Sequence, residues 1–477
     1  MVQVTTSRPK ITVTADGRGV ASHAGSRLLG DLAAVTGLDD GFAGVAGHGR
    51  CRRSRHDPGR VLSDLSVMLA DGGAAITDLG VLREQPELFG HVASTPTAWR
   101  SLRQVSTLGA RGLADLRAAR AAARERAWLA RAELGRPLPV VHAGGRAWNG
   151  LVIDVDATLV TAHSEKEMAA PTFKGGFGYH PVLAFLDNTN EALAGILRPG
   201  NAGANTASDQ ITVTDLALAQ IPDPERHGQP ILIRADGAGA TKAWLAHLHH
   251  LRTGRGLDLD YSVGFTMTDA VQQAILTLPD QAWTPAVQVD GQLRDGADVA
   301  ELTGVLPAHG VLLEVNGWPP GLRVIVRRER PHPGAQLTFS DLHGYRFQAF
   351  ATNTKVGQLA ALEARHRAHA RVEDRIRTGK DTGYGRFPSR CFAINSVWLE
   401  LALAAADLIA WAQTMLLDGQ LAKAEPKKLR YRLLHVTARV TRGQRRTRIR
   451  LPAAWPWARQ LAVAFESLRR IPMPLTT

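Results

Sequence analysis

Two short apolar runs in this chain carry acids where a strand cannot leave them without partners: Leu151–Val160 (LVIDVDATLV) and Ile231–Ala240 (ILIRADGAGA). Side chains alternate along a strand, so Asp154 and Asp156 share one face while Leu151, Ile153 and Val155 share the other. An acid on so apolar a strand requires a metal, an arginine or a hydrogen-bond network. In the second run Asp236 ends the strand, and Gly237, Ala238 and their small neighbours let the chain turn towards a helix. That is where α/β sheets present functional groups. To about residue 268, apolar runs (PVLAFLD, LAGILRPG, YSVGFTMT) mix with helical stretches (TKAWLAHLHHL), which predicts a central sheet flanked by helices.

A third acid lies on a predicted helix, HRAHARVEDRIRTGK. His366, His369, Glu373 and Lys380 step by three, four and seven and so share one face, beside a stripe of Arg367, Arg371 and Arg375. The two histidines lack a third and fourth ligand nearby, so zinc is not expected on this helix. Two strand-borne aspartates and a helix-borne glutamate can converge on two Mg²⁺ ions, because hard cations take carboxylate oxygens and paired ions serve phosphodiester chemistry. The acids at 156, 236 and 373 are separated by 80 and 137 residues. The second gap is too long for one crossover and contains residues 283–354, where short strands (AVQVDG, VLLEVNG, GLRVIVRRERP, YRFQAFATN) between turn residues predict an all-β insertion.

The flanks read as helical. SRLLGDLAAVTGL and RVLSDLSVMLADGG end at glycines, a basic link spans Gly47–Arg60, and an Ala/Arg-rich helix covers about 113–134. In ASTPTAWRSLRQV, Ser94 or Thr95 caps a helix that leaves Thr97, Trp99, Arg100 and Arg103 for contact, after a short helix and turn; this is how a helix-turn-helix reads. Val397–Leu417 is long and apolar enough to span a bilayer, yet Glu400 and Asp407 lie seven apart on one face. A buried helix with one wetter stripe is expected, not a membrane span. The tail predicts a basic hairpin turning at Gly443.

Charge points to the partner. The net charge is +13, and residues 421–450 hold eleven Lys or Arg against the single acid Glu425. A basic, arginine-rich surface is the electrostatic footprint of a nucleic-acid binder. Two cysteines, Cys51 and Cys391, are too few for a disulfide framework, and the N-terminus has no apolar stretch of the signal-peptide kind, so a cytoplasmic protein is expected.

VIDVDATL, LIRADGAG, GWPPGLRVIVRRERPHPGAQ, YRFQAFATNT, RHRAHARVEDRIRTGKDTG and AINSVWLELALAAADLIAW together resemble the DDE transposases of bacterial insertion sequences. The resemblance is to the insertion-sequence thirteen-eighty family, within the type-four-like group. It implies an α/β, ribonuclease H-like catalytic core interrupted by an all-β insertion, with a helical N-terminal DNA-binding region and a helical plus β-hairpin C-terminal region. The expected divisions are 1–140 for binding DNA ends, 141–275 for the first part of the core and 276–355 for the insertion. Residues 356–395 would complete the core and 396–477 form the C-terminal region.

By position, the resemblance makes Asp156, Asp236 and Glu373 the catalytic and metal-binding acids, with Asp154 the competing choice for the first. Asp156 would bridge two Mg²⁺ ions, replaceable by Mn²⁺, while Asp236 and Glu373 each hold one. The group's Tyr-x2-Arg-x3-Glu-x6-Lys signature becomes His366-x2-His369-x3-Glu373-x6-Lys380 here, with Glu and Lys kept and Tyr and Arg replaced. Arg327, Arg328, Arg330, Arg367, Arg371, Arg375 and Lys380 are expected at DNA phosphates, and Trp318 either stacks on an unpaired base or packs on the sheet. The implied activity is metal-dependent cleavage and strand transfer in cut-and-paste transposition of a mobile element. The implied partners are double-stranded terminal inverted repeats and target DNA, bound by a homodimer in the nucleoid. The alternatives are an inactive or domesticated DNA-binding protein of the same fold, or a nuclease that cleaves without joining.

Overall fold

The computed structural model describes residues 12–47, 56–163, 165–203, 206–237, 240–312, 317–331, 334, 341–443 and 446–474. Ala238, Cys51 and most of the Gly47–Arg60 link lie outside the described residues, as does most of VLLEVNG. The protein is a mixed α/β structure with one large sheet and a helical body.

Two early helices set up that body. In α1 (Pro58–Asp71), the Asp57 side chain accepts hydrogen bonds from the backbone N–H groups of Gly59 and Arg60, Pro58 opens the first turn, and Gly72 ends the helix at φ 109°. Only glycine takes that left-handed conformation without strain. The helix α2 (Ala110–Glu133) begins three residues before its predicted start.

The sheet is built from β1 (Leu151–Ala157), β2 (Val182–Leu186), β3 (Ala192–Ile196), β4 (Ile231–Ala235) and β5 (Leu259–Phe265). It continues through β6 (Thr284–Val287), β7 (Leu293–Glu301), β8 (Arg323–Glu329) and β9 (Tyr345–Thr352). The order across the sheet is β6-β7-β8-β9-β5-β4-β1-β2-β3. The first three strands form an antiparallel meander; β4 runs parallel to β1, and β5 parallel to β4. The predicted insertion therefore does not stand apart. Its strand β9 pairs antiparallel with β5, from Ser262↔Thr352 to Phe265↔Ala349, and so covers an edge that would otherwise be open. Pro285 sits on β6, the outer edge, where its missing N–H costs no ladder bond.

After β9 the chain forms α3 (Leu359–Arg367), a 3₁₀ turn at Ala368–Ala370 and α4 (Arg371–Gly379). The expected single helix is thus broken, and Lys380 lies in a wider turn, Lys380–Tyr384, after α4. Then comes α5 (Phe392–Trp411), extended to Leu416 as a looser turn. The segment Phe392–Leu416 has the length and apolarity to cross a membrane, and 78% of its most apolar window is buried inside the protein. Its two acids are not a wet stripe. Glu400 binds Arg117 at 2.6 Å and Arg120 at 3.0 Å, while Asp407 binds Arg120 at 2.9 Å and Arg124 at 2.7 Å. Arg124 also reaches Glu191, in the β2–β3 turn, at 2.6 Å. Each of these charges would cost several kcal/mol to bury alone, so the arginines of α2 and the acids of α5 require one another.

One apolar core joins helices from both ends of the chain, including Leu62, Leu65 and Leu69 of α1, Trp398 and Leu401 of α5, and Leu433 and Leu434 of the tail. A second core lies around the sheet and its crossing helices. The basic hairpin forms as expected, Ala438–Gly443 against Arg446–Arg450, and gains a third strand from Val20–Ala21.

Candidate active site

The two aspartates of β1 have opposite fates. Asp154 is fully buried in an ion-pair cluster. Arg234, its register partner on β4, grips both carboxylate oxygens at 2.8 Å, Arg375 of α4 adds a bond at 2.8 Å, and His369 Nδ1 lies 2.9 Å away. Burial alone would raise the pKa of Asp154, but the Arg234 charge, with the His369 hydrogen bond and charge, holds it well below the usual carboxylate range. Asp187 joins the cluster through Arg234, Arg371 and Arg375. Asp154 is therefore a structural anchor, and Asp156 is the β1 acid left outside that cluster.

Asp156 is partly exposed, and its Oδ1 accepts a hydrogen bond from the Ala157 N–H at 2.7 Å. Its pKa is pushed up to about 6, chiefly by burial, with the charges of Asp236 and Glu373 adding to the rise and His369 opposing it. The three acids thus feel one another although they come from β1, the end of β4 and the first turn of α4. Asp236 and Glu373 line a cleft of about 490 Å³ together with His366, His369, Arg327 and Arg367. Gly264 of β5 permits this arrangement: a Cβ there would lie 2.4 Å from the Gly237 backbone, so only glycine lets the Asp236 turn fold back over the strand.

The donor set suits a hard divalent cation. The charges of Asp236 and Glu373 raise the proton affinity of Asp156, and a cation would relieve that repulsion. The acids stand further apart than a closed single-ion site requires; among the described residues, only His23, Asp71 and His435 bring three ligand atoms within 4.8 Å of one another. Lys380 donates from Nζ to the Leu159 carbonyl at 2.9 Å. Its pKa is lowered by burial and by Lys174, against the pull of Asp156, which puts Lys380 beside the first acid.

His369 is held through Nδ1, while Nε2 is buried without a hydrogen-bond partner in the wall of the cleft. His366 differs. Its ring stacks on Phe350 at 4.5 Å, its Nδ1 meets the Ser262 hydroxyl at 3.0 Å, and burial, helped by the neighbouring His369, lowers its pKa to about 3. His366 is a neutral packing residue.

Several arginines expected at DNA are committed elsewhere. Arg375 is buried in the Asp154–Asp187 cluster, where desolvation without those acids would be prohibitive, and so is not a DNA contact. Arg371 binds Asp187 and the His142 carbonyl away from the cleft lining, while Arg327 and Arg367, which do line the cleft, both bind Glu363. Arg328 pairs with Asp298 and stacks on Trp283, whereas Arg330 is exposed beside Tyr345. Trp318 packs 5.4 Å from Phe265, a residue of the cleft wall, with Lys242 over its ring. Arg100 and Arg103 are exposed on Thr95–Thr107, whose Ala98, Ser101, Leu102 and Val105 face inward. Sequence reasoning missed Arg234 and Asp187. The signal for Arg234 was present: it lies two residues before Asp236, on the strand face that meets Asp154.

The family model described as Transposase DDE domain group 1 matches residues 3–473. Among solved structures, the chain is similar to the cryo-EM structure of the piggyBac transposase synaptic complex with hairpin DNA. The identity is 8% and the TM-score 0.41, covering 86% of this chain and 80% of that one. No curated protein sequence matches the chain.

Proposed function

The chain belongs to the DDE transposases of domain group 1, matched over residues 3–473, and from that premise we propose that it binds the terminal inverted repeats of its element and moves it by cutting and joining DNA. Asp156, Asp236 and Glu373 are the acids of the reaction. The observation that carries this assignment is the cleft that Asp236 and Glu373 line together, with Asp156 close enough for both charges to act on it. The strand order β3-β2-β1-β4-β5 supports a ribonuclease H-like core, with β6–β9 as the insertion between the second and third acids. We assign the protein to the insertion-sequence thirteen-eighty family of bacterial elements, acting as a homodimer on paired DNA ends.

Asp156, Asp236 and Glu373 would hold two Mg²⁺ ions, or Mn²⁺ in their place, which when bound neutralise charge on the reacting phosphate and its oxygens. The remaining work falls to the chain itself. Water attacks the phosphorus at the element's end, losing a proton to solvent as the P–O3′ bond breaks. The freed 3′-hydroxyl then attacks a second phosphodiester in line, losing its proton to solvent as that phosphate's own P–O3′ bond breaks and releases a new 3′-hydroxyl. The Asp154–Arg234–Arg375 cluster fixes β1 and α4 relative to one another and so sets the spacing of Asp156 from Glu373. His369 and Lys380 both act on the charge of Asp156 and are assigned to phosphate oxygens there, while Arg327 and Arg367 supply further charge in the cleft, Arg330 on the insertion and Arg371 on α4. Thr95–Thr107 offers Arg100 and Arg103 to the DNA ends.

The test begins with the DNA flanking the coding region, where imperfect inverted repeats bounded by a short direct duplication supply the substrate. Wild-type protein with Mg²⁺ should nick and join those ends, and Asp236→Asn should bind them with unchanged affinity but cleave nothing. Cleavage that survives Asp236→Asn would remove this residue from the reaction. Binding with no cleavage by the wild type would leave a DNA-binding protein of the same family, and cleavage without joined products a nuclease.

A further inference from the structure

Far from the acids along the chain, three side chains from three separate segments meet: His23 before the first helix, Asp71 at the end of α1, and His435 in the tail. His23 Nδ1 lies 2.7 Å from Asp71 Oδ2, and His435 Nε2 lies 3.2 Å from Asp71 Oδ1, with the imidazole rings 4.2 Å apart. We propose that His23, Asp71 and His435 form a transition-metal site, of the zinc class, that staples the N-terminal segment and the C-terminal hairpin to the helical body.

The donor set argues for the metal class. Two imidazoles and one carboxylate are borderline ligands that suit Zn²⁺ or Co²⁺, unlike the all-oxygen set at Asp156, Asp236 and Glu373. Spacing argues for it too. Ligand bonds of 2.0–2.1 Å in tetrahedral geometry put donor atoms about 3.3 Å apart. The His435 Nε2–Asp71 Oδ1 separation of 3.2 Å already matches that value, and the His23 Nδ1–Asp71 Oδ2 separation of 2.7 Å must open by about 0.6 Å. The contact of His435 Nε2 with the Asp71 carbonyl at 2.8 Å and the Ser26 hydroxyl bond to Asp71 Oδ1 give way to the ion.

The backbone holds the site together. Ala24 N–H donates to the Val436 carbonyl at 3.0 Å, and a Cβ at Gly25 would collide with the Leu433 carbonyl, so the segments bearing His23 and His435 are pressed together before any ligand arrives. His23 adopts φ 53°, a left-handed conformation uncommon for a residue with a side chain, and it turns the ring onto Asp71. Asp71 is 5% exposed, whereas His23 and His435 are 23% and 38% exposed, which leaves an entry path on the histidine side. Both imidazoles must be unprotonated to take the ion, so affinity falls in acid. Arg430, whose charge acts on both Asp71 and His435, is occupied by the carbonyls of Leu69, Ala70 and Asp381. The proposal is independent of the transposase reading.

The test uses the full-length chain carrying Asp236→Asn and Glu373→Gln, so that the acidic cleft takes no cation, stripped with chelator and titrated with Co²⁺ in excess Mg²⁺. One Co²⁺ per chain should bind with visible absorption of tetrahedral intensity, be displaced by Zn²⁺, and raise the unfolding temperature. His23→Gln and His435→Gln should each weaken binding by at least about 100-fold, with far-UV circular dichroism confirming that the variants fold. Absence of saturable Co²⁺ binding to the folded parent, or binding that survives both histidine variants, would overturn the proposal and leave a hydrogen-bonded cluster only.

Discussion

Replacing Asp156 with asparagine is expected to stabilise the metal-free protein, and to do so mainly at high pH. Burial and the charges of Asp236 and Glu373 raise the Asp156 pKa from 3.8 to about 6, so the folded state holds this proton more tightly than the unfolded chain does. The resulting stability is fully present below pH 3.8 and is lost as pH rises through about 6. A rise of about two pKa units corresponds to ~3 kcal/mol at pH 8 and about half of that at pH 5. Screening at a partly exposed side chain reduces the pH 8 figure to about 1–3 kcal/mol. Asp156→Asn removes the charge and should recover that amount. Thermal unfolding in chelator should show the variant roughly 1–3 °C above wild type at pH 8, with a smaller gap at pH 5. Mg²⁺ should then narrow the gap, because it stabilises the wild type alone. A variant no more stable than wild type at pH 8, or a gain equal at both pH values, would refute the convergence of the three acids.

Arg375→Ala should act through stability, destabilising by about 3–5 kcal/mol in equilibrium unfolding because Asp154 and Asp187 lose a buried partner. Arg120→Ala should cost a similar amount, about 3–5 kcal/mol, by leaving Glu400 and Asp407 short of charge, and should lower soluble yield at 37 °C. For the basic hairpin, Arg442→Ser, Arg446→Ser and Arg448→Ser together should flatten the dependence of log affinity on log salt by about 0.9 for each phosphate that is no longer neutralised. An unchanged slope would mean that the hairpin does not touch DNA. Truncation near residue 420 cannot ask this question, because Leu421, Leu429, Leu433 and Val436 belong to the core shared with α1 and α5.

Much of the scaffold was legible because its signals are local. Alternation identified β1 and its two acids, Asp236 was expected at the end of β4, and the glycine stop at Gly72 and the turn near Gly443 were expected where they occur. Signals failed where an element lacked local character. The strand β7, LRDGADVAE, carries Asp and Gly that read as turns, and pairing with β6 and β8 on either side is what makes it a strand. The helix expected over 366–380 had the right face, but the break at Ala368–Ala370 and the turn at Lys380 depend on tertiary packing.

Glu400 and Asp407 show the division most clearly. Periodicity alone required them to share a face and made a lone membrane span improbable, since two carboxylates in apolar surroundings need compensation. It did not say what would compensate them. The answer lies in Arg117, Arg120 and Arg124, nearly 300 residues earlier, on the Ala/Arg-rich helix α2. The same holds for the two acids of β1, which are equivalent by alternation and become a buried anchor and a partly exposed acid only because Arg234 and Arg375 close on Asp154. Sequence periodicity fixes which side chains leave one face of an element together, because backbone geometry repeats. Which partner meets a buried charge depends on contacts between distant segments, and only the folded chain decides it.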